Sequence, residues 1–257
     1  MSATIGDKNN AAPPASGYSG VTEHSAPLHA FLEYSTVLIF PFLFGLNLHW
    51  AGTRLYEFEL LWLITLAIPL GVVGGDFISG VVHWAADTYG SEDMKVIGPS
   101  LVKPFRLHHI YPRDICTHGL VETTGNVCIL AVPVLSVCLY LMWLIPDSGS
   151  LAFAVVCVAL MAAATVATNQ FHKWAHQESP GPLARWLQSK RLVLEPEHHA
   201  LHHTQPFDMN YCITNGWLNP LLNKLRFFRR LEATLGAFGI ETAKAKEERL
   251  ARLKRGE

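Results

Sequence analysis

Four long apolar stretches dominate the pattern of hydrophobic and polar positions along the chain. They cover about residues 31–48, 60–82, 127–145 and 151–168, and none contains more than one charged residue. A helix of about 20 such residues is long enough to cross the hydrocarbon core of a bilayer. The pattern therefore predicts an all-α integral membrane protein with about four transmembrane helices. The alternative, a soluble protein with buried core helices, is disfavoured by finding four such stretches in one short chain.

Basic residues predict how the chain is oriented. Residues 146–150, Pro-Asp-Ser-Gly-Ser, connect the last two stretches too tightly for anything except an antiparallel helical hairpin. Four crossings place both termini on one side, which holds all of the 20 Lys and Arg residues except Arg54. Because positively charged loops stay in the cytosol, we expect residues 1–30, 83–125 and 169–257 to be cytosolic. A bacterial cytoplasmic membrane and an endoplasmic reticulum membrane are both compatible with this pattern.

The flanking composition divides the chain into three parts. Residues 1–30, rich in Ala, Pro, Ser and Gly, predict a flexible tail, residues 31–235 a membrane-embedded domain, and residues 236–257 a charged tail. Residues 221–235 mix Leu and Phe with basic residues. This pattern is typical either of an amphipathic helix on an anionic membrane surface or of an ordinary packed helix with a solvated face.

Charge and cysteine content exclude several classes of protein. The net charge of −1 supplies no basic field for a nucleic-acid backbone, so no nucleic-acid partner is expected. Five cysteines without a CxxC pair make neither a disulfide framework nor a cysteine-type zinc site. The composition leaves one anomaly, the 13 histidines.

Ten of these histidines are clustered in four short windows, each at or beyond the predicted cytosolic end of a membrane helix. Spacings of three and four residues within the windows place imidazoles on one helical face, as in helices that bind transition metals. The windows contain His83 with Asp87; His108, His109 and His118; His172 and His176; and His198, His199, His202 and His203. His24, His29 and His49 lie outside the windows and are expected to be incidental.

The number and type of donors indicate two metal ions. Nine or ten imidazoles and a carboxylate exceed the three protein ligands of a catalytic zinc ion, and the sequence has no HExxH motif. Nitrogen coordination without thiolates suits iron that must react with O2 better than it suits magnesium or calcium. We therefore predict a di-iron centre, with a dinuclear zinc or manganese site as the chemical alternative.

The same residues resemble the lipid desaturase family of Kua or CarF-type proteins, which includes plasmanylethanolamine desaturase. The resemblance covers about residues 70–235. It rests on the segments His83-Trp84-Ala85-Ala86-Asp87-Thr88, Phe105-Arg106-Leu107-His108-His109, Thr168-Asn169-Gln170, His172-Lys173-Trp174, the cluster His198 to His203, Tyr211-Cys212-Ile213-Thr214, and Gly216-Trp217-Leu218-Asn219. One departure is Thr124, where the ether-lipid members carry Asn before Gly125. Any role of that Asn is expected to pass to Thr124 or Asn126.

The resemblance implies an O2-dependent membrane desaturase that converts plasmanylethanolamine to plasmenylethanolamine. Such an enzyme removes two hydrogens from the ether-linked alkyl chain of a phospholipid and leaves the vinyl ether of a plasmalogen. It implies electrons from a separate donor such as cytochrome b5, since the sequence carries no flavin or nicotinamide fingerprint. Plant chloroplast relatives that desaturate an acyl chain share the histidine windows but are less similar at Phe105–His109 and Gly216–Asn219.

Roles are assigned to the candidate residues on this basis. We predict that two irons are held by His83, His108, His109, His172, His176, His199, His202 and His203, with His198 and Asp87 as further ligands or hydrogen-bonding groups behind them. Asp76, near the end of a membrane helix, is either a functional group, a structural cap or a partner that orients a histidine. His118 is a ligand, an outer-shell group or a bystander. The lipid headgroup is expected near Lys103, Arg106 and Arg113.

Two rival functions follow from the same pattern. A membrane hydroxylase or acyl-lipid desaturase would use the same metal centre. A metal transporter or a metal-sensing membrane protein would need ligands near the bilayer midplane. Residues 129–142 and 152–164, in the middle of two predicted spans, contain no His, Asp or Glu. The sequence therefore favours an enzyme.

Overall fold

The computed structural model describes residues 27–94, 98 and 102–255, and the regular elements within these ranges are all helical. In chain order the α-helices are α1 (Pro27–Glu57), α2 (Ile64–Tyr89), α3 (Lys103–Ile110), α4 (Leu120–Leu144), α5 (Gly149–His176), α6 (Pro182–Ser189), α7 (Pro196–His202), α8 (Asn219–Lys224), α9 (Phe227–Ala237) and α10 (Ala243–Arg255). Short 3-10 helices cover Leu61–Leu63 and Asp114–Thr117.

Four of these helices confirm the predicted transmembrane stretches. Helices α1, α4 and α5, and α2 together with the 3-10 helix before it, are long and apolar enough to cross a membrane. Each extends beyond its apolar stretch, because the backbone stays helical into the polar ends that hydropathy does not mark. Of the predicted tail 1–30, residues 1–26 lie outside the described residues, and residues 27–30 already belong to α1.

The four long helices form a bundle in which α2 packs on α5 and α1 packs on α4 and α5. Small residues set the contact between α2 and α5. A Cβ atom added at Gly71 would lie 2.4 Å from Leu160 Cβ, and one added at Gly75 would lie 2.5 Å from Ala164 Cβ. Only glycine permits so close an approach, as in other tightly packed membrane helices. Outward-facing apolar side chains such as Leu38 and Leu130 are largely exposed, as expected of a surface that faces lipid.

The shorter helices cover the end of the bundle at which α2 and α5 finish. Helix α3 packs on α2, and helix α7 packs on α5. The predicted helix over 221–235 is two helices, because Arg226 adopts a left-handed backbone conformation with φ of 50° between α8 and α9. Phe228 of α9 is buried against Trp84, with ring centroids 5.5 Å apart. This face of α9 therefore packs on the protein, as in the packed-helix alternative.

Candidate metal centre

The histidine windows converge at this end of the bundle. Helices α2 and α5 bring their last turns together, and α3 and α7 cover them. Nine ligand-type side chains form two adjacent groups, in each of which the ligand atoms all lie within 4.8 Å of one another. The five-histidine group contains His108, His172, His176, His199 and His203, and the aspartate group contains His83, Asp87, His109 and His202.

The Nε2 atoms of the five-histidine group approach one another closely. His199 Nε2 lies 2.8 Å from His172 Nε2, 2.9 Å from His176 Nε2 and 3.0 Å from His203 Nε2. His172 Nε2 and His176 Nε2 are 3.1 Å apart. A neutral imidazole carries a single N–H, so these convergent nitrogens cannot all pair as donor with acceptor. One cation shared among their lone pairs accounts for the arrangement.

The same distances bear on coordination geometry. With metal–nitrogen bonds of about 2.1 Å, donors at right angles lie about 3.0 Å apart, whereas tetrahedral donors lie about 3.4 Å apart. Four of the observed separations, 2.8 to 3.1 Å, are short enough for these nitrogens to share one ion, whereas the ligand atoms of the whole group lie within 4.8 Å of one another. A group of five nitrogens also exceeds the four ligands of a structural zinc site. The residues therefore fit an ion with five or six ligands.

The aspartate group is arranged around one carboxylate oxygen. Asp87 Oδ2 lies 3.1 Å from His109 Nε2, 3.4 Å from His83 Nε2 and 3.7 Å from His202 Nε2. The side chains of His83 and His202 are fully buried. Asp87 joins the histidines because it follows His83 by one helical turn on α2. Three nitrogens and one oxygen supply donors for a second ion.

Backbone carbonyls orient two of these imidazoles. His83 Nδ1 lies 3.2 Å from the carbonyl oxygen of Tyr211, and His202 Nδ1 lies 2.8 Å from that of Met209. A carbonyl only accepts, so Nδ1 carries the proton and Nε2 presents its lone pair. Within the part of the chain that the structure describes, Nε2 of His83, His108 and His202 is buried without a hydrogen-bond partner. Such orphaned nitrogens are the expected signature of metal ligands.

Burial and mutual repulsion keep the imidazoles neutral. Burial, and then the charge on His109, lower the pKa of His202 to about 4. Burial and the charges on His176 and His202 lower the pKa of His203 to about 2. The pKa values of His108 and His199 are lowered well below the ordinary value, chiefly by burial. At neutral pH these rings therefore offer lone pairs, the form that binds metal.

Asp76 lies behind the aspartate group and does not belong to it. Its Oδ1 accepts hydrogen bonds from the backbone N–H groups of Thr214, Asn215 and Gly216, at 3.2, 3.0 and 2.9 Å. Its Oδ2 accepts one from the N–H of Leu218 at 3.1 Å. These four bonds fix the segment 211–218 against α2. The same segment supplies the Tyr211 carbonyl to His83, so Asp76 is linked to this imidazole through the segment that it holds.

Two other predicted site residues lie outside both groups. His198 Nε2 is 2.9 Å from Asn219 Nδ2, so this imidazole accepts a hydrogen bond from an amide of α8. His118 Nε2 lies 3.5 Å from Asp114 Oδ2, one turn away in the chain. The sequence predicted His198 as a further ligand or as a hydrogen-bonding group behind the ligands. Its contact with Asn219 depends on chain folding that spacing does not reveal.

The basic residues predicted to bind a headgroup have different surroundings. Lys103 is exposed at the start of α3. Arg106 donates to the carbonyl oxygen of Gly90 at 2.8 Å and lies 3.6 Å from Glu247. Arg113 forms an ion pair of 2.5 Å with Glu178. Lys103 therefore has the most open approach of the three.

The remaining candidates are distant from the chemistry or outside the described residues. Thr124 Oγ1 donates to the carbonyl oxygen of Leu120, in its own helix, and Asn126 belongs to neither metal-binding group. His29 Nε2 lies 3.4 Å from Glu33, near the start of α1. His49 is exposed on α1, and His24 lies outside the described residues.

Aromatic residues around the aspartate group were not predicted. The ring centroids of Phe105 and Tyr211 lie 5.0 and 5.8 Å from that of His83, and the centroid of Phe207 lies 4.8 Å from that of His109. Phe105 and Tyr211 stand in the segments that carry the resemblance, which was a usable signal. Phe207 stands in neither, and only the fold brings it to the site.

Comparison with known proteins identifies the family. Residues 72–245 match the lipid desaturase domain. The chain is 44% identical over 172 residues to plasmanylethanolamine desaturase of Myxococcus xanthus, covering 66% of this chain and 60% of that protein. It is 36% identical over 199 residues to plasmanylethanolamine desaturase 1 of Mus musculus, covering 74% and 73%. Chloroplastic fatty acid desaturase 4 of Arabidopsis thaliana is 33% identical over 169 residues, covering 65% of this chain and 50% of that protein.

No solved structure shows a significant match to the chain. The domain match nevertheless spans most of the sequence and includes both metal-binding groups. The four membrane-spanning helices and the histidine-rich cluster agree with an assignment to membrane lipid desaturases. The chain is therefore a multi-pass membrane protein that belongs to the lipid desaturase family.

Proposed function

We propose that the chain is an O2-dependent desaturase that uses two iron ions to introduce the vinyl-ether double bond into an ether phospholipid. The observation that carries this proposal is the pair of adjacent groups with nine nitrogen and oxygen donors at one end of a membrane helix bundle. The relatives named plasmanylethanolamine desaturase support the choice of substrate class. Plasmanylethanolamine would be converted to plasmenylethanolamine.

The proposed reaction balances with one O2, two electrons and two protons. One C–H bond breaks on each of the first two carbons of the alkyl chain, counted from the ether oxygen. A C=C bond forms between these two carbons. O2 is reduced to two molecules of water, with two electrons from the alkyl chain and two from a donor protein such as cytochrome b5. Iron with O2 supplies the oxidising power for these unactivated C–H bonds, which no side chain supplies.

The residues of the chain hold and orient the participants. The five-histidine group would hold one iron, and His83, Asp87, His109 and His202 the other. Five nitrogen donors in one group, and no thiolate in either group, favour iron or manganese over a four-coordinate zinc site. The carbonyls of Tyr211 and Met209 keep Nε2 of two ligands free of protons. Lys103, exposed at the start of α3, would bind the phosphate of the headgroup.

The metal centre and both termini are proposed to face the cytosol. Lys and Arg predominate on the side of the bundle that carries the histidines, as the positive-inside rule requires. A reporter that is active only in the cytosol tests this orientation. It should be active when fused after Arg255 and inactive when inserted at Asp147, in the turn between α4 and α5. The opposite pattern would refute the orientation without affecting the metal centre.

Lipid analysis tests the proposed reaction. The protein would be produced in cells that contain alkyl ether phospholipids but no plasmalogens, and the lipids compared by mass spectrometry. The expected product is two hydrogens lighter and is cleaved by mild acid, as vinyl ethers are. It should be absent with His202→Ala and present with His49→Ala, which alters an exposed histidine of α1. Unchanged ether lipids would refute the substrate assignment.

Acyl-lipid desaturation or hydroxylation is the second candidate function. It is favoured by the matches to chloroplastic fatty acid desaturases of Arabidopsis thaliana, at 33% and 32% identity. The same lipid profiles distinguish the two candidates. A new double bond or hydroxyl group in an acyl chain, lost in His202→Ala and without a vinyl ether, would establish the second candidate and leave the metal centre in place.

A further inference from the structure

The two metal-binding groups differ in their immediate surroundings. A cavity of about 250 Å³ opens beside the five-histidine group and is lined in part by His176, His199 and His203. In the aspartate group, the rings of Phe105 and Tyr211 pack beside His83, and the ring of Phe207 packs beside His109. One group therefore adjoins a cavity, and the other lies among aromatic side chains, with the side chains of Asp87 and His109 12% and 13% exposed.

The cavity is suited to ions and water. Its volume of about 250 Å³ lies below the roughly 300–1,000 Å³ of pockets that hold drug-sized molecules, and a phospholipid is larger than those. Its lining includes the charged side chains of Arg113 and Glu178, at the end of the bundle that carries the histidines. Charged side chains disfavour the entry of a lipid chain.

One ion pair belongs to the lining of the cavity. Arg113, in the segment after α3, contacts Glu178, just beyond the end of α5, at 2.5 Å. The Glu178 side chain is 72% exposed, so this contact contributes little to folding. The segment of Arg113 has a separate attachment to α5, because Lys173 donates a hydrogen bond to the carbonyl oxygen of His118. Loss of the ion pair should uncover the cavity without detaching the segment.

From these contacts we propose that the cavity is the route by which metal ions enter and leave the five-histidine group, and that the Arg113–Glu178 ion pair partly closes it. The iron of the five-histidine group then exchanges with solution faster than the iron of the aspartate group. This inference rests on the proposed metal centre, and it concerns access to that centre rather than the reaction.

Chelation kinetics test the proposal on the whole, purified protein. Protein carrying ferrous iron would be mixed with bipyridine without O2, and release of iron followed by the colour of the chelate. We expect two phases of about one iron each. Glu178→Ala should accelerate the fast phase about two- to fivefold, the range expected from loss of an exposed ion pair, and leave the slow phase unchanged.

Three further variants sharpen the test. Ala200→Leu adds bulk to an exposed position that lines the cavity, and should slow the fast phase. Glu57→Ala removes an exposed ion pair with Arg54 at the end of α1, opposite the metal centre, and should change neither phase. In His109→Ala, which damages the aspartate group, the iron that remains should leave in the fast phase.

The outcomes separate this inference from the function on which it rests. Release of both irons in a single phase would overturn the access route and leave the proposed desaturase intact. So would a fast phase whose rate is the same in Glu178→Ala, in Ala200→Leu and in the unaltered protein. Protein that binds no iron in any preparation would overturn the metal centre and the access route together.

Discussion

The Nε2 atoms of His172 and His199 lie 2.8 Å apart, although 27 residues separate them in the chain. One ring stands on the last turns of a membrane helix and the other on a short helix beyond it. Two more histidine nitrogens lie within 3.0 Å of His199 Nε2. Neutral imidazoles in this arrangement cannot all form hydrogen bonds with one another. The centre is therefore expected to be most stable with metal bound.

Removal of one ligand tests the metal stoichiometry directly. In His172→Ala, iron content measured by elemental analysis should fall from two to one or fewer per chain, and desaturase activity should fall about 100-fold or more. The matched control is His49→Ala, at an exposed position of α1, which should retain both irons. Full iron content in the His172 variant would contradict its assignment as a ligand.

Asp76 is predicted to act on stability through the segment 211–218. Asp76 accepts four backbone hydrogen bonds through its carboxylate. Asp76→Asn replaces this carboxylate by an uncharged amide, whose NH2 group then faces one of the backbone N–H groups. The expected loss is about 2–4 kcal/mol, seen as a fall of several degrees in the Tm of the detergent-solubilised protein. Asp147→Asn, in the exposed turn before α5, should leave the Tm unchanged. Equal Tm values for the two variants would exclude this role.

Histidine protonation predicts a pH dependence for the metal-free protein. An unfolded histidine titrates near 6.5, whereas the pKa of folded His202 is lowered to about 4. Because the folded pKa is the lower one, the stabilisation is complete above pH 6.5 and is lost as pH falls towards 4. Each such group contributes a slope of up to about 1.4 kcal/mol per pH unit.

The measurement compares Tm between about pH 8 and about pH 5 for chelator-treated and iron-loaded protein. The metal-free protein should lose stability across this range more steeply than the loaded protein, because bound iron blocks protonation of its ligands. A flat profile for the metal-free protein would show that its histidines titrate normally.

Headgroup binding and helix anchoring can be separated at two neighbouring basic residues. Lys103→Ala should raise KM for the phospholipid about fivefold at unchanged kcat, because one basic residue near a membrane surface contributes about 1 kcal/mol. Arg106→Ala should lower the Tm instead, since Arg106 donates to the carbonyl oxygen of Gly90. A lower Tm for Lys103→Ala with unaltered KM would remove Lys103 from the headgroup site.

The sequence was informative where chemistry repeats along a helix. The apolar stretches marked the four membrane helices. The spacing of His172 and His176 placed both in one group, since neighbours on a helical face remain neighbours in any fold. The bounds were less accurate, because the ligand-bearing turns are polar and continue helices whose apolar part ends earlier.

The division of ligands between the two groups could not be predicted. His108 and His109 are adjacent in the chain yet belong to different groups, and so do His202 and His203. Consecutive residues on a helix point about 100° apart, and only the packing of α3 and α7 on the bundle determines which group each side meets. The bond of His198 to Asn219 depends on the same packing.

The glycine contacts between α2 and α5 link the membrane interior to the metal centre. Gly71 of α2 contacts Leu160 of α5. This contact lies about three helical turns before His83 on α2 and before His172 on α5. These two histidines belong to different metal-binding groups. A bulkier residue at Gly71 would increase the distance between α2 and α5. Because the helices are rigid, their last turns, and with them the imidazoles, would also move. The spacing of the two metal-binding groups is thus governed partly by a contact between membrane helices that touches no ligand, so that variation in buried small residues can alter the metal centre from a distance.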